Sequence, residues 1–176
     1  MPGVQELSAE TAFEGHIFDV VVRRYRRADG GEYERQVVLH PGAVGIVAHD
    51  DRHLHLVRQP REAVGEEGLL EIPAGTRDVE GESELECARR ELAEEVGMAA
   101  ERWELLRAIY PTPGWADETL TLFLATELRE VGAEPSEGEQ IEIVRWPLDD
   151  LDGALAAVKD AKTLVGLLLL RERLCA

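Results

Sequence analysis

With 176 residues, 44% of them hydrophobic and 31% charged, the chain is long enough to bury one sizeable core and too short for two comfortable ones. Thirty-six Asp and Glu against nineteen Lys and Arg leave a net charge of −17, which argues against nucleic acid as a partner, because binding it relies on Lys and Arg displacing counterions. Cys87 and Cys175 offer no disulfide framework and suit a reducing cytoplasm, the apolar stretch from Leu164 to Leu170 is far too short to span a bilayer, and Met1-Pro2-Gly3-Val4 lacks the basic start and apolar run of a secretory signal. An acidic chain can still take a small phosphate ester where metal ions or a few placed arginines reverse the charge locally.

In chain order, the β-branched stretch from His16 to Arg27 closes on Asp29-Gly30-Gly31 before Tyr33 to Leu39 resumes an extended pattern, which predicts a hairpin. After the break at His40-Pro41-Gly42, Ala43 to Ala48 reads as a buried strand that turns at Asp50-Asp51 into Leu54 to Val57. Leu69 to Ala74 is a short strand ahead of the loop from Gly75 to Gly81. A helix is predicted at Glu84 to Val96: Ser83 with Glu86 forms a capping box, Leu85, Ala88, Leu92 and Val96 recur at helical spacing, and Gly97 suits a left-handed stop. Trp103 to Tyr110, Thr119 to Ala125 and Ile141 to Trp146 predict strands, and Leu151 to Lys159 and Thr163 to Leu174 two closing helices. Strands interspersed with helices predict one α/β unit whose mixed sheet is covered on both faces.

Within the predicted helix, Glu91, Glu94 and Glu95 stand at spacings that bring their carboxylates to one side, where they repel each other unless a cation intervenes. That side lies about a quarter-turn from the apolar stripe, at the edge of the core. Hard cations such as Mg²⁺ and Mn²⁺ take oxygen ligands and bridge carboxylates to phosphates. A solvated helix in which Arg89 and Arg90 pair with neighbouring glutamates has the same composition, so the cluster taken alone leaves both readings open.

The longer string shifts the balance. Gly75, Glu82 and Arg90-Glu91-Leu92-Ala93-Glu94-Glu95-Val96-Gly97-Met98 resemble the Nudix box, with six residues in the first gap where the usual pattern has five and full register from Glu82 onward. Val57-Arg58-Gln59-Pro60-Arg61, Leu70-Glu71-Ile72-Pro73-Ala74-Gly75 and Tyr110-Pro111-Thr112-Pro113-Gly114-Trp115-Ala116-Asp117-Glu118 resemble stretches of the ADP-ribose pyrophosphatases within that family. The resemblance implies a Nudix-type α/β/α sandwich with a mixed sheet over residues 41–176, preceded by a β-arm hairpin over 1–40 at the interface of a homodimer.

For individual residues, the resemblance implies about two to three Mg²⁺ or Mn²⁺ ions on Glu91, Glu94, Glu95 and the Ala74 carbonyl, with Arg90 orienting the glutamates and Glu82 pairing with Arg90. Arg61 is expected on a phosphate, a role suited to a guanidinium fork, and Asp78 on the terminal ribose. Thr112, Pro113, Gly114 and Glu118 mark the substrate segment, although Pro113-Gly114 alone is also what an ordinary turn uses. Ile17, Phe18 and Arg35 of the arm are expected about the adenine. The general base falls in the acidic loop from Glu134 to Glu142, where Glu139 is chosen and Glu137 and Glu142 compete.

The implied activity is hydrolysis of a nucleoside diphosphate-sugar, ADP-ribose giving AMP and ribose 5-phosphate, by a cytoplasmic protein with neither nucleic acid nor membrane as partner. Another nucleotide-sugar such as GDP-mannose, a dinucleotide, ADP-ribose binding without turnover, and an acidic interaction domain are the alternatives.

Overall fold

The computed structural model describes residues 3–133 and 140–175. Two compact units are distinguished, one formed by the chain up to Gly42 together with Tyr110–Thr119, the other by Ala43–Ile109 with Leu120 onward.

In the first unit β1 (Val4–Phe13), β2 (Asp19–Arg27) and β3 (Glu32–Leu39) form an antiparallel sheet in that order. The tight β2–β3 turn needs Gly30 at φ 86°, a conformation cheap only for glycine. Directly opposed residues pair across the ladder: Arg24 with Glu34 at 2.9 Å, Arg26 with Glu32 at 2.7 Å, and Tyr25 stacked on Tyr33. The sequence reading did not anticipate β1. Its residues are almost all exposed, so they carry no buried-face pattern, and what holds them is backbone pairing with β2 from Val4↔Arg27 to Phe13↔Val20. Val38 of β3 also bonds the later segment, its N–H donating to the Trp115 carbonyl at 2.8 Å and its carbonyl accepting from Asp117 at 3.1 Å.

The second unit contains β4 (Ala43–His49), β5 (His53–Arg61), β6 (Glu66–Glu71), β7 (Ala74–Thr76), α1 (Glu84–Val96), β8 (Met98–Ile109), β9 (Leu120–Glu130), β10 (Glu142–Pro147), α2 (Leu151–Ala157) and α3 (Ala161–Leu174). Its sheet runs β10-β5-β4-β9-β8, with β6 on β5 and β7 on β4. Only the β4–β9 pair in this ladder is parallel, which makes the sheet mixed.

Alternation of side chains along the strands builds two cores. Val44, Ile46, Ala48, Phe123 and Ala125 pack with Ala88, Leu92 and Val96 of α1, while Val47, Leu54, Leu56, Leu120 and Leu122 pack with Leu151 and Ala154 of α2 and Leu167 and Leu170 of α3. The unit is therefore an α/β/α sandwich. Close approach of α3 to β4 depends on Gly166, where a Cβ would come within 2.8 Å of Val47.

The predicted strand from Leu69 to Ala74 is in fact two, β6 ending at Glu71 and β7 beginning at Ala74. Pro73 between them has no N–H to give a ladder, and its carbonyl accepts instead from Ile46 at 2.8 Å. Strand β8 begins at Met98, ahead of the expected Trp103, because Met98–Ala100 continue the pairing with Glu130–Leu128. No helix among the described residues is long and apolar enough to cross a membrane.

Candidate active site

Helix α1 is fixed at both ends. The Ser83 side chain accepts from the Glu86 amide and the Glu86 carboxylate accepts from the Ser83 amide, a reciprocal box. Gly97 at φ 71° ends the helix, its N–H donating to the Ala93 carbonyl. These stops fix where the helix begins and ends. The additional residue in the Gly75–Glu82 gap is taken up by a turn in which the Glu82 amide donates to Val79 and Gly81 sits at φ 82°.

Arg90 is the hub. Its Nε and Nη2 each donate to a Glu82 oxygen at 3.0 Å, and its Nη1 donates to Glu91 at 2.7 Å and to Glu94 at 3.2 Å; Asp78 lies 3.7 Å from Nη2. The hydrogen bonds to Glu82 above all push the Arg90 pKa up, and the same bonds pull the Glu82 carboxyl down. Strand β7 is pressed onto this group, since a Cβ on Gly75 would overlap the Glu91 carboxyl. Glu95 differs from its neighbours: at 4% exposure it lies in the buried stripe, and its Oε2 accepts from the Ala74 amide at 3.0 Å. Burial pushes the nearby Cys87 thiol up to about 12, which leaves it un-ionised and unsuited to nucleophilic work.

The donors here are all oxygen, the class that Mg²⁺ and Mn²⁺ take, and Glu91 and Glu94 converge on one positively charged point, Arg90 Nη1. Among the described residues no three His, Cys, Asp or Glu side chains stand ready to hold a metal ion. The set thus fits a hard divalent cation in chemistry, with Glu91 and Glu94 held by Arg90 and Glu95 by the Ala74 amide.

A second charged cluster lies at the end of β5. Arg61 grips both oxygens of Glu71 at 2.7 and 2.9 Å, and Lys162 of α3 bonds the same carboxylate. Burial raises the Glu71 pKa, but the Arg61 and Lys162 partners outweigh it and hold the carboxyl below the ordinary value. The hydrogen bonds to Glu71 above all push the Arg61 pKa up, and the charge of Glu95 adds to this. The sequence reading named Arg61 and missed Glu71 and Lys162. A charged residue inside the apolar string Leu69-Leu70-Glu71-Ile72 was the available signal, because a buried carboxylate demands a cation.

The expected residues of the substrate segment and of the arm lie in the first unit. Thr112 accepts at its carbonyl from the Trp115 and Ala116 amides, which forms the Pro113-Gly114 turn, and its buried hydroxyl has no hydrogen-bond partner among the described residues. Glu118 stands 4.0 Å from His40. The Arg35 guanidinium lies over the Tyr33 ring, and Ile17 and Phe18 are exposed. Glu137 and Glu139 lie outside the described residues; Glu142 opens β10, 3.6 Å from Arg58.

A mixed sheet between helices, with a glutamate-bearing helix tied to a glycine loop, defines a Nudix fold, and the NUDIX domain model matches residues 39–166. The chain belongs to the Nudix family, whose hydrolases generally need a divalent metal. It is 41% identical over 140 residues to an ADP-ribose pyrophosphatase of Mycobacterium tuberculosis (79% of this chain, 67% of that one) and 36% identical over 162 residues to one of Bacillus subtilis (89% and 86%). A crystal structure of an ADP compounds hydrolase superposes with a TM-score of 0.88 at 29% identity, covering 99% of this chain and 96% of that one.

Proposed function

We propose that the protein hydrolyses the diphosphate bond of a nucleoside diphosphate-sugar, ADP-ribose giving AMP and ribose 5-phosphate. The observation that carries this reading is the constellation on α1, with Glu82, Glu91 and Glu94 about Arg90 and Glu95 bound to the Ala74 amide, in a chain similar to ADP-ribose pyrophosphatases over most of its length.

Glu91, Glu94, Glu95 and the Ala74 carbonyl are the groups to hold Mg²⁺ or Mn²⁺, about two to three ions. Bound there, such ions supply charge neutralisation for the diphosphate and a more acidic water. Arg90 orients the glutamates. Arg61 offers its guanidinium to a phosphate oxygen and Asp78 its carboxylate to the terminal ribose, and Thr112, Pro113, Gly114 and Glu118 are assigned to substrate binding. Glu139 is assigned as the carboxylate that takes the proton from the attacking water. The arm, with Ile17, Phe18 and Arg35, is assigned to a homodimer contact in which it crosses to the partner subunit and helps enclose the adenine there; exposure of Phe13, Ile17 and Phe18 supports an apolar contact. Two free cysteines agree with a cytoplasmic setting.

The test is product analysis. ADP-ribose, GDP-mannose and a diadenosine polyphosphate are incubated with the protein under Mg²⁺ and under Mn²⁺, and the products resolved. ADP-ribose should be consumed fastest, with AMP and ribose 5-phosphate in equal amounts; preferential turnover of GDP-mannose would move the assignment to another nucleotide-sugar, and binding of ADP-ribose without turnover would remove the hydrolase reading.

A further inference from the structure

The charges around Glu71 form a closed circuit. Arg61 and Lys162 both bond the Glu71 carboxylate, which is 1% exposed. Lys162 is also 3.0 Å from Asp160, the N-cap of α3. Asp160 accepts from the amide and the hydroxyl of Thr163 at 3.0 and 2.6 Å, and the Thr163 hydroxyl accepts from the Ile72 amide at 2.9 Å. The circuit starts at Glu71 and returns to its neighbour Ile72, so the start of α3 is locked to the chain just ahead of the Ala74 loop. Two carboxylates and two cations make the group neutral.

Within this circuit Arg61 spends only part of its fork. Nε and Nη2 are engaged on Glu71, and among the described residues Nη1 has no hydrogen-bond acceptor. The Arg61 side chain is 42% exposed while Glu71 is buried, so one edge of the guanidinium faces inward and the rest is open to solvent. We propose that Lys162 is a positioning residue for the reaction, clamping Glu71 through the oxygen that Arg61 Nη2 also bonds, so that Arg61 is held by two N–H groups and keeps its open edge for the diphosphate. This rests on the reading that Arg61 meets a phosphate of the substrate.

The charge count shows why a second cation is needed. Without Lys162, Glu71 and Asp160 retain two negative charges against Arg61 alone. Glu71 then loses the contact that fixes it in front of Arg61, so the guanidinium is no longer held in one orientation, and the net charge beside the Ala74 loop becomes negative. A plain lysine-to-cap pin for α3 would affect folding instead, and the two roles separate in the kinetics. A clamp that prepares a substrate contact changes KM more than kcat, and another cation of similar reach restores it.

The experiment compares the full chain with Lys162→Met, Lys162→Gln and Lys162→Arg, using ADP-ribose under Mg²⁺. The Arg61 side-chain Nε–H is followed in ¹⁵N-labelled protein and assigned by its loss in Arg61→Lys. Lys162→Met should raise KM about ten-fold with kcat within about two-fold, Lys162→Arg should bring KM back, and the Arg61 Nε–H, protected in the parent, should exchange rapidly in Lys162→Met. Unchanged KM with an unchanged Arg61 signal overturns the proposal, as does an equal fall in kcat that Lys162→Arg fails to rescue. If Lys162→Met does not fold, Lys162→Gln is read by the same criteria. If the parent leaves ADP-ribose intact, the proposed function falls separately, and the Nε–H signal alone decides whether Lys162 clamps Arg61.

Discussion

The Ala74 amide and the Glu95 carboxylate are 21 residues apart in the chain and meet at 3.0 Å. Glu95 is almost fully buried, and a buried carboxylate is costly unless hydrogen-bonded. The contact therefore fastens the loop carrying the Ala74 carbonyl to the helix carrying the glutamates, two parts of the proposed site that otherwise come from separate elements.

Replacing Glu95 with Gln keeps the volume and an acceptor for the Ala74 amide but removes the negative charge. The fold should survive, with an unchanged circular dichroism spectrum. Under saturating Mg²⁺, kcat should drop about a hundred- to a thousand-fold, the scale of losing one key electrostatic group, and Mn²⁺ affinity measured by paramagnetic resonance should fall with it. Near-normal turnover would retire Glu95 as a ligand.

Gly75→Ala tests the press of β7 on Glu91. Gly75 is not among the residues at positive φ, so a methyl group there meets a packing conflict with the Glu91 carboxyl rather than backbone strain. Displacing that carboxylate should weaken Mn²⁺ binding and lower kcat while the Arg90–Glu82 pair stays intact. Equal metal affinity in the variant and the parent, measured by calorimetry, would show that Glu91 need not sit there.

Most of the α1 geometry was legible in the sequence because it is local. Ser83, Glu86 and Gly97 dictate where the helix begins and ends through bonds within a few residues, and the structure gives Glu84–Val96 as expected. The pairing of Arg90 with Glu82 was also accessible from the box. What stayed hidden depends on contacts between distant parts of the chain. Lys162 meets Glu71 across 91 residues, and no spacing rule connects them. Strand β1 was hidden for a different reason: a strand held mainly by its backbone ladder, with its side chains almost all exposed, leaves no trace in side-chain alternation.

Ser83→Ala removes the oxygen that caps α1 and should cost about 1 kcal/mol, lowering Tm by about 2–4 °C. Since the glutamates sit in the later turns, kcat at a temperature well below Tm should be nearly unchanged. A large loss of kcat without a change in Tm would mean that the cap also sets the site's geometry.

His55 and Asp50 predict sensitivity to acid. His55 is 1% exposed, its Nε2 lies 3.2 Å from Asp50, and its Nδ1 has no hydrogen-bond partner among the described residues. Burial pushes the His55 pKa below 6.5 despite the neighbouring Asp50, so the folded chain favours the neutral ring. Stability from this group is whole above the unfolded value and is lost as pH falls from 6.5 toward the lowered folded value. Burial raises the Asp50 pKa, but bonds from the Arg52 and His53 amides and from His55 outweigh it and bring the carboxyl down from 3.8 to about 2. Its contribution is present above 3.8 and is lost as pH falls toward about 2. Urea midpoints at about pH 7 and about pH 5 should fall toward acid in the parent and less so in His55→Phe. Equal slopes would remove His55 as the cause.

The central claim is that carboxylates of α1 hold the cations that grip a diphosphate. Crystals grown with a non-hydrolysable methylene analogue of ADP-ribose and soaked in Mn²⁺ provide an anomalous map that locates those ions. The account predicts peaks within coordination distance of Glu91 and Glu95 oxygens and of the analogue's phosphonate oxygens together; bound analogue with no manganese on α1 would contradict it.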